Sequence, residues 1–244
     1  MLQCDFTTRH YREILRKIKH AGFAFTNYEQ YVKMSASHAD RVFILRHDLD
    51  HSLVYANKLA EIEAEESVTA TFFVWLSAPY YNVIHPEQIK LIRRIIDLGH
   101  SIGLHFDPTA YPESKDLSMM IQREIGILST IIDHTVSAYS FHRPTAAMLN
   151  QHWKIDGLIN SYDRILFGDF KYLSDSNHQW REGCVCRHLA DHNKLHALIH
   201  PIWWCFDNCD TPIEKLHQAR KDLDDHVSHE LMRNVKVFRE YYGS

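Results

Sequence analysis

The chain has 244 residues, 45% of them apolar and 24% charged, with a net charge of −4. That is enough apolar material for a sizeable core, and too little positive charge for a nucleic-acid groove or an anionic membrane surface. No apolar run approaches the roughly 20 residues of a membrane span, which argues against an integral membrane protein.

The opening stretch to Phe23 is charged and amphipathic, without the apolar centre of a signal peptide. A helix is expected over Thr8 to His20, where Tyr11, Ile14, Leu15 and Ile18 share one face, and Gly22 ends it. Val42 to Leu45 reads as a strand buried on both faces. Ser52 caps the next helix, in which Leu53, Ala56, Leu59, Ala60 and Ile62 recur at helical spacing. The β-branched and aromatic run Thr69 to Leu76 is a second strand. Pro86 opens a helix carrying Ile89, Ile92, Ile95 and Ile96, closed by Gly99. "HSIGLHF" is a third strand, Glu113 to Asp133 a long amphipathic helix, and "SAYSFHRP" a fourth strand. Leu158 to Gly183 shows no period and reads as irregular. "LHALIHPIWW" is a late strand, and Thr211 to Tyr242 is mostly helix.

No repeat, linker or low-complexity tract interrupts this order, so residues 1–244 are expected to form one domain. Alternating helices and short continuous apolar strands predict an α/β fold of parallel strands covered by helices. A doubly wound sheet and a (β/α) barrel both satisfy the pattern, and both gather function at the carboxyl ends of the strands. The polar clusters fall at those ends: Asp48 and Asp50, His105 and Asp107, His142 and Arg143, and His200.

In extended chain the carboxylates of Asp48 and Asp50 point the same way. Two like charges this close repel unless a cation intervenes, so a divalent metal on one leaves the other free as a general base. His105 supplies the nitrogen that zinc or another borderline metal takes beside Asp50. Asp107 is a ligand, the holder of a neighbouring imidazole, a substrate contact or, with Pro108, a plain turn. Arg143 stays protonated and can bridge to Asp48, and His142 is either a third ligand or a core histidine. His200 ends an apolar run, where it can protonate a leaving group, with Asp175 setting its tautomer. Trp180, Trp203 and Trp204 offer flat faces to sugar rings, or else fill core. Together these groups fit metal-assisted hydrolysis of an amide or ester. The five cysteines, an odd number, suit a reducing compartment. Cys184-x-Cys186 and Cys205-x-x-x-Cys209 miss the usual zinc spacing and read as free thiols.

These blocks, in this order, resemble the polysaccharide deacetylase (NodB-homology) family, in its divergent branch associated with surface-polysaccharide and lipopolysaccharide biosynthesis. "RHDLD" looks like the first motif, "GHSIGLHFDPT" the second, "SFHRP" the third, "YLSDSNHQW" the fourth and "LIHP" the fifth. The resemblance spans about Val42 to Trp204. It implies a distorted (β/α) barrel and a divalent metal, zinc first, with cobalt, nickel or iron as alternatives. It implies Asp48 as base, Asp50 as metal ligand, Arg143 as orienter of the base and His200 as acid. The family's second motif usually carries another metal-binding histidine four residues on; here Thr109 stands there. The third ligand is then expected from His142 or Asp107, in that order. The implied activity is removal of an N-acetyl or similar acyl group from a nucleotide-linked or lipid-linked saccharide in the cytoplasm. A deformylase or other non-peptide amide hydrolase is the alternative, as is a non-catalytic saccharide-binding protein on the same fold.

Overall fold

A computed structural model describes residues 4–33, 40–112, 116–150 and 153–243. Helix α1 (Thr8–His20) begins where the Thr7 hydroxyl accepts the His10 amide, and it buries Tyr11, Ile14, Leu15 and Ile18, the face read from the sequence. Strand β1 (Ala24–Thr26) and helix α2 (Tyr28–Lys33) follow, then β2 (Val42–Leu49), buried along its whole length. Helix α3 (Leu53–Glu65), capped by Ser52, leads to β3 (Thr71–Val74). Helix α4 (Pro86–Asp97) ends ahead of Gly99, whose φ of +91° turns the chain into β4 (Ser101–Phe106). Helix α5 (Leu117–Ile132) and β5 (Ala138–Phe141) come next; the start expected for α5, residues 113–115, lies outside the described residues.

The segment read as irregular instead holds β6 (Ile159–Asn160), α7 (Arg164–Phe167) and β7 (Lys171–Ser174), after the short α6 (Ala146–Asn150). Two-residue and four-residue elements are too short to impress a period on the sequence. Strand β8 (Lys194–Ile199) breaks into a 3₁₀ turn at Pro201, and α8 (Pro212–Asn234) and α9 (Lys236–Tyr242) close the chain. No helix among the described residues is long and apolar enough to cross a membrane.

The strands form one parallel sheet in the order β6-β5-β4-β3-β2-β8-β7, with β1 beside the first half of β2. The sheet is curled. In a flat sheet β6 would lie four strands, about 19 Å, from β2. Yet the Arg46 guanidinium on β2 donates to the Ser161 hydroxyl, just past β6, at 3.1 Å. The edge strands β6 and β7 do not pair, so the barrel is open on that side, as the expected distorted (β/α) barrel requires.

Alternation along β2 sorts its side chains. Phe43, Leu45 and Leu49 face outward into the large core shared with the helices, whereas Val42 and Ile44 join Tyr28, Phe73, Ala138, Leu166 and Phe170 inside the curl. His47, on the outward face, is fully buried and bonds Glu63 of α3 at 2.7 Å. The inward face continues as Arg46 and Asp48, and so delivers charge to the mouth of the barrel. Gly103 is required there: a Cβ at that position would lie 2.4 Å from the Phe73 ring.

Candidate active site

Asp48, Asp50, His105, His142, Asp175 and His200 all lie at or just past the carboxyl ends of β2, β4, β5, β7 and β8. Asp50, His105, His142 and His200, with Asp48, line one cavity of about 760 Å³. Two neighbours brace the end of β2, as the Tyr81 hydroxyl donates to the Leu49 carbonyl at 2.6 Å and accepts the Trp75 amide at 3.1 Å.

Three donors converge. His105 Nε2 lies 3.1 Å from Asp50 Oδ1 and 3.1 Å from His142 Nδ1, and His142 Nδ1 lies 3.5 Å from the same Asp50 oxygen. Nitrogen and oxygen ligands about 2.0–2.1 Å from zinc at tetrahedral angles sit about 3.4 Å apart, so the spacing fits a metal. The donor chemistry fits too: two imidazoles and a carboxylate, with Ser140 at 2.7 Å from His105 Nδ1 to fix that ring while Nε2 faces the cluster. Asp50 Oδ1 is buried without a hydrogen-bond partner, the condition a cation would relieve. Burial works against the Asp50 charge, yet His105 and His142 overcome it and hold its carboxyl well below the usual range. Trp75 stacks on the His142 ring at 4.0 Å between centroids and limits its rotation.

Beside this trio sits Asp48, gripped from below. Arg46 Nε donates to Asp48 Oδ1 and Arg46 Nη2 to Oδ2, both at 2.8 Å, in the bidentate arrangement that fixes a carboxylate in plane. Arg46 is itself fully buried, bonded to Ser161 and to the Tyr162 hydroxyl at 3.1 Å each, and stacked over the Tyr162 and Phe73 rings. Burial opposes the Asp48 charge, but the Arg46 cation outweighs it, and the carboxyl stays below its ordinary value.

Across the cavity, Asp175 accepts four hydrogen-bond contacts with no solvent exposure. His200 Nδ1 lies at 2.6 Å, the His200 amide at 3.0 and 3.1 Å, and Trp204 Nε1 at 2.8 Å. Burial alone would lower His200, but the Asp175 charge and hydrogen bond raise it to about 9. With Nδ1 committed to Asp175, His200 Nε2 points toward Asp50, 3.8 Å from Oδ2.

Several sequence expectations need correction. The guanidinium on Asp48 belongs to Arg46, not Arg143: at Arg143 the backbone turns left-handed, with φ +48°, and leaves the side chain exposed at the cavity rim. Asp107 neither joins the donors nor lines the cavity, because its Oδ1 accepts the Thr109 amide at 2.9 Å and the Thr109 hydroxyl at 2.7 Å. It is the turn-forming alternative, Asp before Pro. Trp204 is fully buried and holds Asp175, so it presents no face to a ligand, whereas Trp180 and Trp203 do form cavity wall. Arg46 was within reach of the same period-two argument that aligned Asp48 with Asp50. Tyr162 and Tyr172, which also line the cavity, carried no sequence signal because their segment has no period.

No protein-family model and no curated protein matches the chain. Among solved structures it is similar to the Streptococcus pyogenes deacetylase PplD in complex with acetate, at 18% identity and a TM-score of 0.48, covering 87% of this chain and 86% of that one. A family 4 carbohydrate esterase from Bacillus anthracis is similar at 17% identity and a TM-score of 0.43, over 89% of this chain and 86% of that one. The peptidoglycan deacetylase PdaC from Bacillus subtilis is similar at 16% identity and a TM-score of 0.46, over 83% and 98%.

Proposed function

We propose that the protein is a metal-dependent hydrolase that removes an N-acetyl or similar acyl group from a saccharide, a nucleotide-linked or lipid-linked precursor of surface polysaccharide. The carrying observation is the convergence of Asp50, His105 and His142 between a carboxylate locked by arginine and an imidazole locked by aspartate. Asp50 Oδ1, His105 Nε2 and His142 Nδ1 would hold a divalent ion, zinc first. Such an ion supplies a Lewis acid for the acyl carbonyl and makes a water more acidic.

The chain's own residues do the rest. Asp48, ionised across the neutral range, takes the water proton at a carboxylate oxygen that Arg46 keeps aimed at the cavity. Water oxygen bonds to the acyl carbon, the C–N bond breaks, and His200 gives its Nε2 proton to the departing nitrogen. Asp175 keeps that proton available by stabilising the imidazolium. The products are a carboxylic acid and a free amine. Tyr162, Tyr172, Trp180 and Trp203 line the cavity, and such flat apolar faces flanked by polar groups suit a sugar ring.

The test is acetate release from N-acetylated sugar nucleotides and lipid-linked saccharides by zinc- or cobalt-loaded protein. Activity that disappears in Asp48→Asn and in His200→Ala supports the proposal. Full activity in Asp48→Asn overturns the assigned base, and hydrolysis of N-formylated or other N-acylated counterparts with none of the N-acetylated substrates overturns the assigned acyl group.

A further inference from the structure

Away from the barrel mouth, a second group of metal-binding side chains is assembled from two distant stretches of chain. Cys4, from the segment ahead of α1, His10, in the first turn of α1, and Cys184 present ligand atoms that all lie within 4.8 Å of one another. His10 and Cys184 are buried, at 5% and 8% exposure. Cys184 Sγ is 3.6 Å from His10 Nε2. A thiolate at about 2.3 Å and an imidazole at about 2.1 Å from zinc, at the tetrahedral angle, are separated by about 3.6 Å.

Two further features complete the constellation. His10 Nδ1 faces Glu13 Oε2 at 3.3 Å, the carboxylate-to-imidazole contact that fixes the tautomer of a zinc-binding histidine and leaves Nε2 as the ligand. A fourth donor is at hand two residues on: Cys186, partly buried on the same 3₁₀ turn, lies outside the group of three and would close the shell. We propose that Cys4, His10, Cys184 and Cys186 form a structural zinc site, closed by four protein ligands and separate from the candidate active site. Binding releases the thiol protons to solvent and changes no oxidation state.

The position gives the site a task. The loop running from Trp180 to Gly183 forms one wall of the barrel-mouth cavity and leads directly into Cys184. The N-terminal segment is already tied down at its far end, where the Thr8 amide donates to Asp207 at 2.7 Å and Lys215 Nζ to the Phe6 carbonyl at 3.1 Å. A metal bridging Cys4 and His10 to Cys184 and Cys186 would staple that anchored segment to the cavity wall. It would also keep the thiols from pairing as disulfides.

The site is tested on the full chain purified under reducing conditions. With both donor groups filled, elemental analysis should find about two zinc ions per chain. Cys184→Ser and Cys4→Ser should each lose about one of them, and Asp50→Ala with His105→Ala should lose the other and keep the cysteine-bound ion. Wild-type protein reconstituted with cobalt alone should show near-ultraviolet sulfur-to-cobalt charge-transfer absorption, a readout that needs no variant to fold. Retention of that absorption in the Asp50→Ala, His105→Ala protein assigns it to the thiolates. Absence of charge-transfer absorption in cobalt-loaded wild type overturns the proposal. So does full zinc content in Cys184→Ser, or a Cys4–Cys184 disulfide in freshly purified protein.

Discussion

Removing Arg46 isolates the claim that this side chain, and not Arg143, supports the carboxylate base. Arg46 is fully buried and Asp48 is 4% exposed, with two contacts of 2.8 Å between them. Arg46→Met keeps an unbranched apolar stem while deleting the guanidinium and its charge, which strands a buried carboxylate and leaves Ser161 and Tyr162 without their donor. Breaking a buried pair from one side costs about 3–5 kcal/mol. At this chain length that lowers the melting temperature by roughly 6–20 °C. Replacing both members, Arg46→Met with Asp48→Asn, should recover much of the loss, because the stranded charge goes with its partner. Arg143→Met, at an exposed rim position, should stay within about 0.5 kcal/mol of wild type. Denaturant unfolding of the four proteins at neutral pH measures all three differences. Arg46→Met costing no more than Arg143→Met, or a double variant no better than Arg46→Met alone, would refute the reasoning.

The remaining expectations touch other parts of the same core. Gly103→Ala would place a Cβ 2.4 Å from the Phe73 ring, on which the Arg46 guanidinium rests at 5.2 Å; overpacking of this kind costs about 1–3 kcal/mol, and turnover should fall more than KM rises. Burial first, and then the Arg46 charge, lower His196 to about 3 in the folded protein, so its neutral form is the folded one. The unfolded chain takes up that proton from pH ~6.5 downward, so the contribution is intact above 6.5 and falls by about 1.4 kcal/mol per pH unit toward the folded value. His196→Gln, which keeps a partner for the Tyr28 hydroxyl at 2.8 Å, should show a shallower acid loss in urea unfolding between pH 6.5 and 4. Asp175→Asn removes the charge behind His200 and should reduce kcat by about 10²–10⁴ with little change in KM.

Much of the site was readable because strand periodicity puts alternate residues on one face. Asp48 and Asp50 were paired on that basis, and the same count backward reaches Arg46, which the curl of the sheet then brings against Ser161 and Tyr162. Nothing local to β2 announces that long-range contact. Arg143 misled because sequence order keeps it beside His142, whereas a left-handed turn separates the two: His142 still faces the cluster and Arg143 the rim. Asp107 was ambiguous for a physical reason, since a carboxylate ahead of proline can bond its own backbone as readily as a ligand, and here it does. The elements between Leu158 and Gly183 stayed hidden because strands of two and four residues carry no period. The cysteine cluster was invisible for a different cause: its donors at positions 4, 10 and 184 meet only when α1 packs beside the turn at Val185.

Anomalous X-ray diffraction from zinc-soaked crystals, collected on either side of the zinc absorption edge, tests the central claim most directly. The account predicts a peak in the barrel mouth within bonding distance of Asp50 Oδ1, His105 Nε2 and His142 Nδ1 together, about 2.0–2.1 Å from each. A barrel mouth without such a peak at saturating zinc, or a peak that leaves His142 or Asp50 out, would contradict it.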